Sequence, residues 1–407
     1  MAETDTAELE LIDAADFHSD PHRYYDRWRE YGPVRHVKFT HNHGVECWVV
    51  VGYAEARAAL ADPRLLKNTT DTLRVFRRLG SSIMSTDDAQ SLNQHMLNSD
   101  PPDHTRLRRL VNKAFTTRRV AALRPRIEQI TDELLTAMTG RDEVDLLQAF
   151  AIPLPVTVIC ELLGVPFEDR EAFQAWTKIL VGAGGPMADR ERASSEMTDY
   201  LANLLSRKRV QPAEDLLSVL ANDAGEDRLT EPELIAMAFL LLVAGHETTV
   251  NLIGNGTHAL LRDRTRFEAL RADPAGIPGA IEEFLRLDGP VGWSTVRHTA
   301  EPITIGDTEI PAGELVYVAL PAAAHDPARF ADPHTLDLSR DASGHVAFGY
   351  GIHFCVGAPL ARMEATVAFT ALLDRFPDLT LAPDFTPRWQ HSTLIRGLTT
   401  LPVRPHG

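Results

Sequence analysis

The sequence predicts a mainly α-helical protein with small β-sheets. Three observations carry that class. Helical periodicity dominates from Thr105 to Leu220 and returns at about Thr230 to Leu261 and again after Cys355. The β-branched and aromatic runs are all short. No Pro/Gly/Ser-rich linker, repeat or low-complexity tract divides the 407 residues, so 1–407 reads as one domain.

Taken in order, an amphipathic helix at about Tyr24 to Tyr31 stops at Gly32-Pro33. Strands follow at Val34 to Phe39 and Cys47 to Val51, with a turn at Asn42-His43-Gly44. Ala54 to Ala61 is helical and ends at Asp62-Pro63. Lys67 to Ser99 shows poor periodicity and reads as a long functional loop. The helical stretch from Thr105 is broken at Gly140, Pro153, Gly164-Val165-Pro166 and Gly182 to Pro186. The long helix opens on Thr230 and Glu233 at capping-box spacing, with Pro232 in its first turn. From Leu234 to Ala244 it is apolar all round, which marks a core helix. Strands return at Ser294 to His298, Ile303 to Ile305 and Leu315 to Leu320.

Composition narrows the class. Hydrophobic content of 44% and charged content of 24% are those of a soluble globular protein. No uninterrupted apolar segment reaches the length of a membrane span. The acidic N-terminus (Glu3, Asp5, Glu8, Glu10, Asp13, Asp16) lacks the basic and apolar regions of a secretory signal, so the expectation is a cytoplasmic protein without a membrane anchor. A net charge of −16 opposes binding to nucleic acid or anionic membrane. The 3 cysteines lie far apart, which argues against a disulfide framework or a Cys-based zinc site. Cys47 and Cys160 fall in strand-like and helical apolar runs and read as core.

Cys355 is different. It sits in Phe348-Gly349-Tyr350-Gly351-Ile352-His353-Phe354-Cys355-Val356-Gly357, with a helix (Leu360, Met363, Val367, Ala371, then Arg375) opening just after it. Glycines at 349, 351 and 357 permit positive φ and close approach of backbone to a large flat group. A helix N-terminus beside a thiol lowers its pKa, and a thiolate is a soft axial ligand for iron. Three further motifs stand out. Ala244-Gly245-His246-Glu247-Thr248-Thr249 interrupts the apolar helix with a carboxylate and hydroxyls, either as a polar stripe where the helix surfaces or as a groove in which Gly245 makes room for a ligand. Glu283 and Arg286 share a helix face, as ordinary surface ion pairs do. His104 and Arg108 lie one turn apart, where the plain reading is a basic helix end.

The run from Phe348 to Gly357 resembles the haem-binding signature of the cytochrome P450 superfamily, with Phe348, Gly349, Gly351, His353, Cys355 and Gly357 all in place and Ala361-Arg362 downstream. The resemblance spans nearly the whole chain. It implies the helix-rich, triangular-prism P450 fold, a b-type haem (heme b) with Cys355 as axial thiolate, and O2 as co-substrate. It also implies electrons from NAD(P)H through a ferredoxin reductase and a ferredoxin, because no flavin or iron–sulfur motif remains in the chain. Glu247 and Thr248 then match the acid–Thr pair that relays protons to the oxygen being activated, with Ala244 against the haem. Glu283, Arg286 and Arg340 match the E-x-x-R motif and its third member, which brace the haem loop. His104, Arg108, Arg297 and His353 match the cations that reach the haem propionates, and Phe348, Gly349 and Gly357 line the cofactor. The reaction implied is monooxygenation, as hydroxylation or epoxidation.

The resemblance also implies substrate contacts from Leu240, Val243, Ala244, Gly292, Trp293, Ser294 and Leu394, with Trp293 bulky for its place. The segments Ala244 to Ile253 and Ser99 to Arg109 are similar to those of actinobacterial enzymes of secondary metabolism that tailor macrolides, related polyketides and steroid-like molecules. Arg109, Lys113, Arg118, Arg119 and Arg362 are the candidate basic patch for the ferredoxin, on a chain expected to be monomeric. The loops Lys67 to Ser99 and Val181 to Glu191 match the substrate-covering regions. The chain departs from the family at Ala324-His325-Asp326-Pro327, where Asn-Arg is expected before Asp-Pro, a change read as local packing. Rival readings are a peroxide-driven peroxygenase or haem-thiolate isomerase, a non-catalytic haem-binding protein, and a cysteine nucleophile with His353 as base. The Glu247-Thr248 pair weighs against the first two.

Overall fold

A computed structural model describes residues 8–40, 44–80, 91–181 and 186–407. The chain falls into two compact units, Met1–Leu65 with Arg124–Leu154 and Thr248–Gly407, and Leu66–Leu123 with Pro155–Glu247.

The first unit holds the main sheet. Val34–Phe39 and Cys47–Val50 pair antiparallel, with His36 opposite Trp48. Glu10–Ile12 adds in parallel on one side and Leu315–Val318 in parallel on the other, the latter then pairing antiparallel with Arg297–Thr299. The alternation of apolar residues packs Val34, Trp48, Val50, Val316 and Val318 with helix Tyr53–Ala61 into one core cluster. Helices Arg124–Met138 and Ala358–Arg375 lie side by side, and Arg375 bonds Thr136 at 3.1 Å and pairs with Asp132. A small sheet joins Pro402–Arg404 antiparallel to both Thr380–Leu381 and Val144–Asp145.

The second unit is helical, built on Asp103–Ala114, Arg170–Val181, Met187–Val210 and Leu216–Ala221. Helix Glu231–Leu261 begins here, and its cap is the one the sequence predicts. The Thr230 amide donates to Glu233 Oε2 at 2.8 Å, and the Glu233 amide donates to Thr230 Oγ1 at 3.4 Å. By length and hydropathy this helix would pass for a membrane span, against the expectation that no segment reaches that length. Within that stretch 61% is buried in protein, as befits a core helix.

Some expectations need correction. Helix Thr69–Arg78 lies inside the stretch read as loop. The Asn68 side chain caps it, accepting from the Asp71 amide at 2.9 Å, and it buries Leu73, Val75 and Phe76. The break expected at Pro153 falls between the helical turn Leu147–Ala151 and helix Pro153–Leu163, which opens on the proline because a first-turn proline loses no helical hydrogen bond. The strand expected through Leu320 ends at Val318, and Leu320–Ala324 is a short helix. The turn residues Asn42 and His43, residues 81–90 of the first loop, and the break at Gly182 to Gly185 lie outside the described residues.

Candidate functional site

In the first unit the Cys355 loop is held by its own backbone. The Gly349 amide donates to Val346 O at 2.8 Å and the Cys355 amide to Phe348 O at 2.9 Å. Gly349 and Gly351 take φ of 74° and 76°, the left-handed region where a side chain is strained. Gly351 also lies so close to helix Tyr53–Ala61 that a Cβ would stand 3.1 Å from Ala61 Cα and Leu60 O. Gly357 is otherwise: its φ is −81°, it caps helix Ala358–Arg375, and a Cβ there would come to 3.8 Å from Cys355 Sγ. The Cys355 side chain is partly exposed, two residues ahead of that cap.

Helix Ile277–Asp288 grips the chain on either side of this loop. Arg286, fully buried, donates to Glu283 at 2.7 and 2.8 Å and to the carbonyls of Ala324, Pro333 and Thr335 at 3.1, 2.7 and 3.2 Å. Those bonds occupy its five donors. Glu283 also accepts from Arg340 Nε at 3.2 Å and the Asp337 amide at 3.0 Å. Its neighbour Glu282, which the sequence reading passed over, takes Arg362 through Nε and Nη2 at 2.6 and 2.8 Å and faces His345 Nε2 at 3.0 Å. Burial pushes the Glu282 carboxyl up, but hydrogen bonds from Arg362 and His345 outweigh it and bring it to about 2. The Arg362 guanidinium in turn lies 4.5 Å from the Phe348 ring centroid.

Arg297 is buried, and its bonds to Ser294 Oγ, Thr295 O and Leu60 O are long, at 3.4–3.5 Å. The neighbouring expectations fare differently. Trp293 is a core residue rather than a substrate contact: only 2% of it is exposed, Nε1 donates to Tyr25 Oη at 3.0 Å, and the ring packs against Phe17, Phe39 and Tyr317. Ser294 is likewise spent internally, Oγ accepting from the Val318 amide at 3.1 Å. Gly292 is bare because a Cβ would stand 2.5 Å from Thr393 O. Leu394 is 36% exposed, as a ligand-facing residue requires.

In the second unit the long helix is most open around Ala244. Ala236 to Ala238 and Leu242 are buried, whereas Ala244 is exposed and Val243, Gly245 and Glu247 are partly so; Leu240 is 7% exposed. Thr248, the next residue of the helix and the first of the other unit's segment, is also partly exposed. Gly245 has a packing reason beside the expected one: a Cβ would meet Ile159 at 2.6 Å, so the glycine admits the neighbouring helix. His246 bonds Leu242 O through Nδ1 at 2.8 Å and brings Nε2 to 3.5 Å from Glu247 Oε1. His104 and Arg108 lie on helix Asp103–Ala114, and burial, with Arg108 and Lys67 nearby, holds His104 below the ordinary histidine range. Asp100, which the sequence reading did not single out, accepts from the amides of Lys67 and Asn68 at 2.9–3.0 Å and so ties two helix starts together. Of the candidate basic patch, Arg109 is paired with Asp227 at 2.5 Å and Arg362 with Glu282.

The cytochrome P450 family model matches residues 30–181 and 277–400. The chain belongs to the cytochrome P450 family. It is 52% identical over 96% of both chains to Cytochrome P450 107B1 of Saccharopolyspora erythraea. It is 50% identical to Cytochrome P450 monooxygenase PikC of Streptomyces venezuelae, covering 96% of this chain and 92% of the relative. Vitamin D(3) 25-hydroxylase of Pseudonocardia autotrophica is 44% identical over 99% and 98%. The tirandamycin C-bound structure of the P450 monooxygenase TamI superposes with a TM-score of 0.91 at 51% identity, covering 97% of this chain and 100% of that one. The protein therefore has the P450 fold and is a P450 monooxygenase, an oxidoreductase. Membership implies haem-thiolate iron and O2 as co-substrate. The residues fit that group. Within the first unit, Cys355 offers a partly exposed sulfur beside a helix cap, and Arg297 is a buried cation with long bonds.

Proposed function

We propose that this P450 inserts one atom of O2 into a C–H or C=C bond of a mid-sized to large lipophilic molecule, a macrolide or related polyketide or a steroid-like compound of secondary metabolism. Support for the substrate class comes from the relatives named for vitamin D(3) and solved with tirandamycin C. We take residues 1–407 as one haem domain, since neither compact unit is a continuous stretch of chain. The observation that carries the assignment is the Cys355 loop: a partly exposed sulfur fixed by backbone bonds and two left-handed glycines, next to a helix cap.

When bound, the haem supplies an iron that activates O2, assisted by electron donation from the thiolate of Cys355. The chain's residues do the rest. Arg297, Arg108 and His353 bind the propionates, with Arg suited to carboxylate geometry, and His104, held toward its neutral form, contributes less charge. Thr248 holds a proton at its hydroxyl, and Glu247 resupplies it through water. Ala244, Phe348, Gly349 and Gly357 would line the cofactor. Val243 and Leu394 present apolar surface to the substrate and exclude water, whereas Leu240, expected there too, is buried in the core. Glu283, Arg286 and Arg340 brace the loop structurally.

Electrons come from NAD(P)H by way of a ferredoxin reductase and a ferredoxin, and the protein acts as a cytoplasmic monomer. Arg109 and Arg362 already answer carboxylates, so Lys113, Arg118 and Arg119, all exposed, are the cations for an acidic ferredoxin. The deciding experiment is the absorption spectrum of the reduced, CO-bound protein, wild type against Cys355→Ala. A strongly red-shifted Soret band in wild type alone supports thiolate ligation by Cys355, and a histidine-type spectrum or a haem-free protein overturns it. Titration of the ferric protein with a macrolide aglycone and with vitamin D(3) then tests the substrate class by the spin-state shift.

A further inference from the structure

The family departure at His325 brings three imidazoles together away from the Cys355 loop. His22 on helix Pro21–Tyr31, His325 at the end of helix Leu320–Ala324, and His334 in the following loop place one ring nitrogen each within 4.8 Å of one another. His325 is 2% exposed and its Nε2 lies 2.7 Å from Leu287 O. A carbonyl only accepts, so that nitrogen carries the proton and Nδ1 carries the lone pair. His334 Nε2 lies 3.0 Å from Asp26 Oδ2, which fixes its proton in the same way. The two Nδ1 atoms face each other at 3.1 Å. With Nε2 the proton-bearing nitrogen on each ring, the two Nδ1 lone pairs point at one another, and a shared proton or a metal ion between them satisfies both. The third ring, His22, stacks on His325 with centroids 4.2 Å apart, and its Nδ1 is buried with no hydrogen-bond partner among the described residues.

We propose that His22, His325 and His334 form a binding site for a divalent transition-metal ion of the imidazole-preferring class, with zinc as the type ion. The donor set and its supports are those of metal-binding histidines. Each outer N–H of His325 and His334 is held by a carbonyl or a carboxylate, which fixes the tautomer and aims the other nitrogen. Zinc at about 2.0–2.1 Å from each nitrogen sets tetrahedral N···N edges of about 3.3 Å. The His325–His334 pair is already near that spacing, and a ring rotation of His22 completes the set. The nearby cations are already answered, Arg29 by Asp26, Arg286 by Glu283 and Arg396 by Asp288. The side chain of His334 is half exposed, which gives the ion a way in. A bound ion would pin the N-terminal helix to the segment 324–335 whose carbonyls hold Arg286.

The test uses untagged, haem-loaded protein stripped with chelator and dialysed against micromolar zinc, with metal counted per haem. His334→Ala changes a half-exposed side chain, and His325→Arg restores the residue type expected at that position. About one zinc per haem in wild type, falling at least roughly ten-fold in both variants, is the expected result, with a zinc-dependent rise in melting temperature seen in wild type alone. Equal zinc retention in the variants would place the metal elsewhere and overturn the site. No zinc in wild type, with identical melting in zinc and in chelator, would mean that the histidines share only a proton.

Discussion

Arg362 and Glu282 form a two-pronged ion pair, 2.6 and 2.8 Å long, one residue away from the Glu283–Arg286 pair on the same helical turn. Two adjacent carboxylates thus serve two different stretches of chain. Glu283 holds the approach to the Cys355 loop through Arg340 and Asp337, and Glu282 holds its exit through Arg362 and its start through His345.

The acid limb of stability reports Glu282. Its carboxyl sits at about 2, below its unfolded value near 4.3, so its contribution is complete above the unfolded value and fades as pH falls through about 2. Glu282→Gln should remove about 1–2 kcal/mol at pH 7, and the variant's deficit should shrink toward pH 2. Urea unfolding followed at pH 7, 4 and 2.5 checks this, and a deficit independent of pH would assign the loss to packing.

Arg286→Lys keeps the charge but supplies three donors where five acceptors wait. Loss of about 3–5 kcal/mol is expected, with a sharp fall in haem per chain, because the site is fully buried. Haem content and the denaturation midpoint of purified variant measure it.

The two glycine types in the loop should separate. Gly351→Ala places a side chain at φ of 76° and within 3.1 Å of Ala61, so it should cost about 1–2 kcal/mol for the backbone alone and reduce haem loading. Gly357→Ala has an ordinary φ and meets Sγ at 3.8 Å, so it should load haem normally and move only the Soret position. Side-by-side haem titrations distinguish them.

Thr248→Ala and Glu247→Gln should leave the substrate-induced spin shift at the same affinity while product per NAD(P)H consumed falls by about 10²-fold. Unchanged coupling would remove both residues from the proton path.

Glu364 is buried on helix Ala358–Arg375 with Oε2 unbonded among the described residues, and burial holds its carboxyl well above the ordinary range. A raised carboxyl favours the fold at low pH and loses that contribution as pH rises toward its folded value. Glu364→Gln should therefore match wild type near pH 4 and gain about 1–3 kcal/mol by pH 8. Melts at pH 4, 6 and 8 check the trend, and a constant difference would contradict it.

What was legible in the sequence was local or carried by the motif. The Thr230–Glu233 cap, helix Ala358–Arg375 and the strands Val34–Phe39 and Ile303–Ile305 follow from neighbours within a few residues. Contacts set by tertiary packing were not. Gly245 reads as room for a ligand with no hint of Ile159 packed against it, and Trp293 reads as pocket lining until Tyr25 is found on its nitrogen. Glu282 carries no signal in the sequence because its partners Arg362 and His345 lie far along the chain. Helix Thr69–Arg78 hid behind a polar composition that its buried Leu73, Val75 and Phe76 outweigh.

The backbone bond from Cys355 to Phe348, with Glu282 and Glu283 holding the flanking chain, sets the sulfur's position through the polypeptide alone. A ligand atom fixed this way surrenders little freedom when its prosthetic group arrives. On the proposed ligation the same rigidity would govern departure: the chain around Cys355 would have to part from helix Ile277–Asp288, so residence of the cofactor would follow the local opening of that contact as well as the iron–sulfur bond.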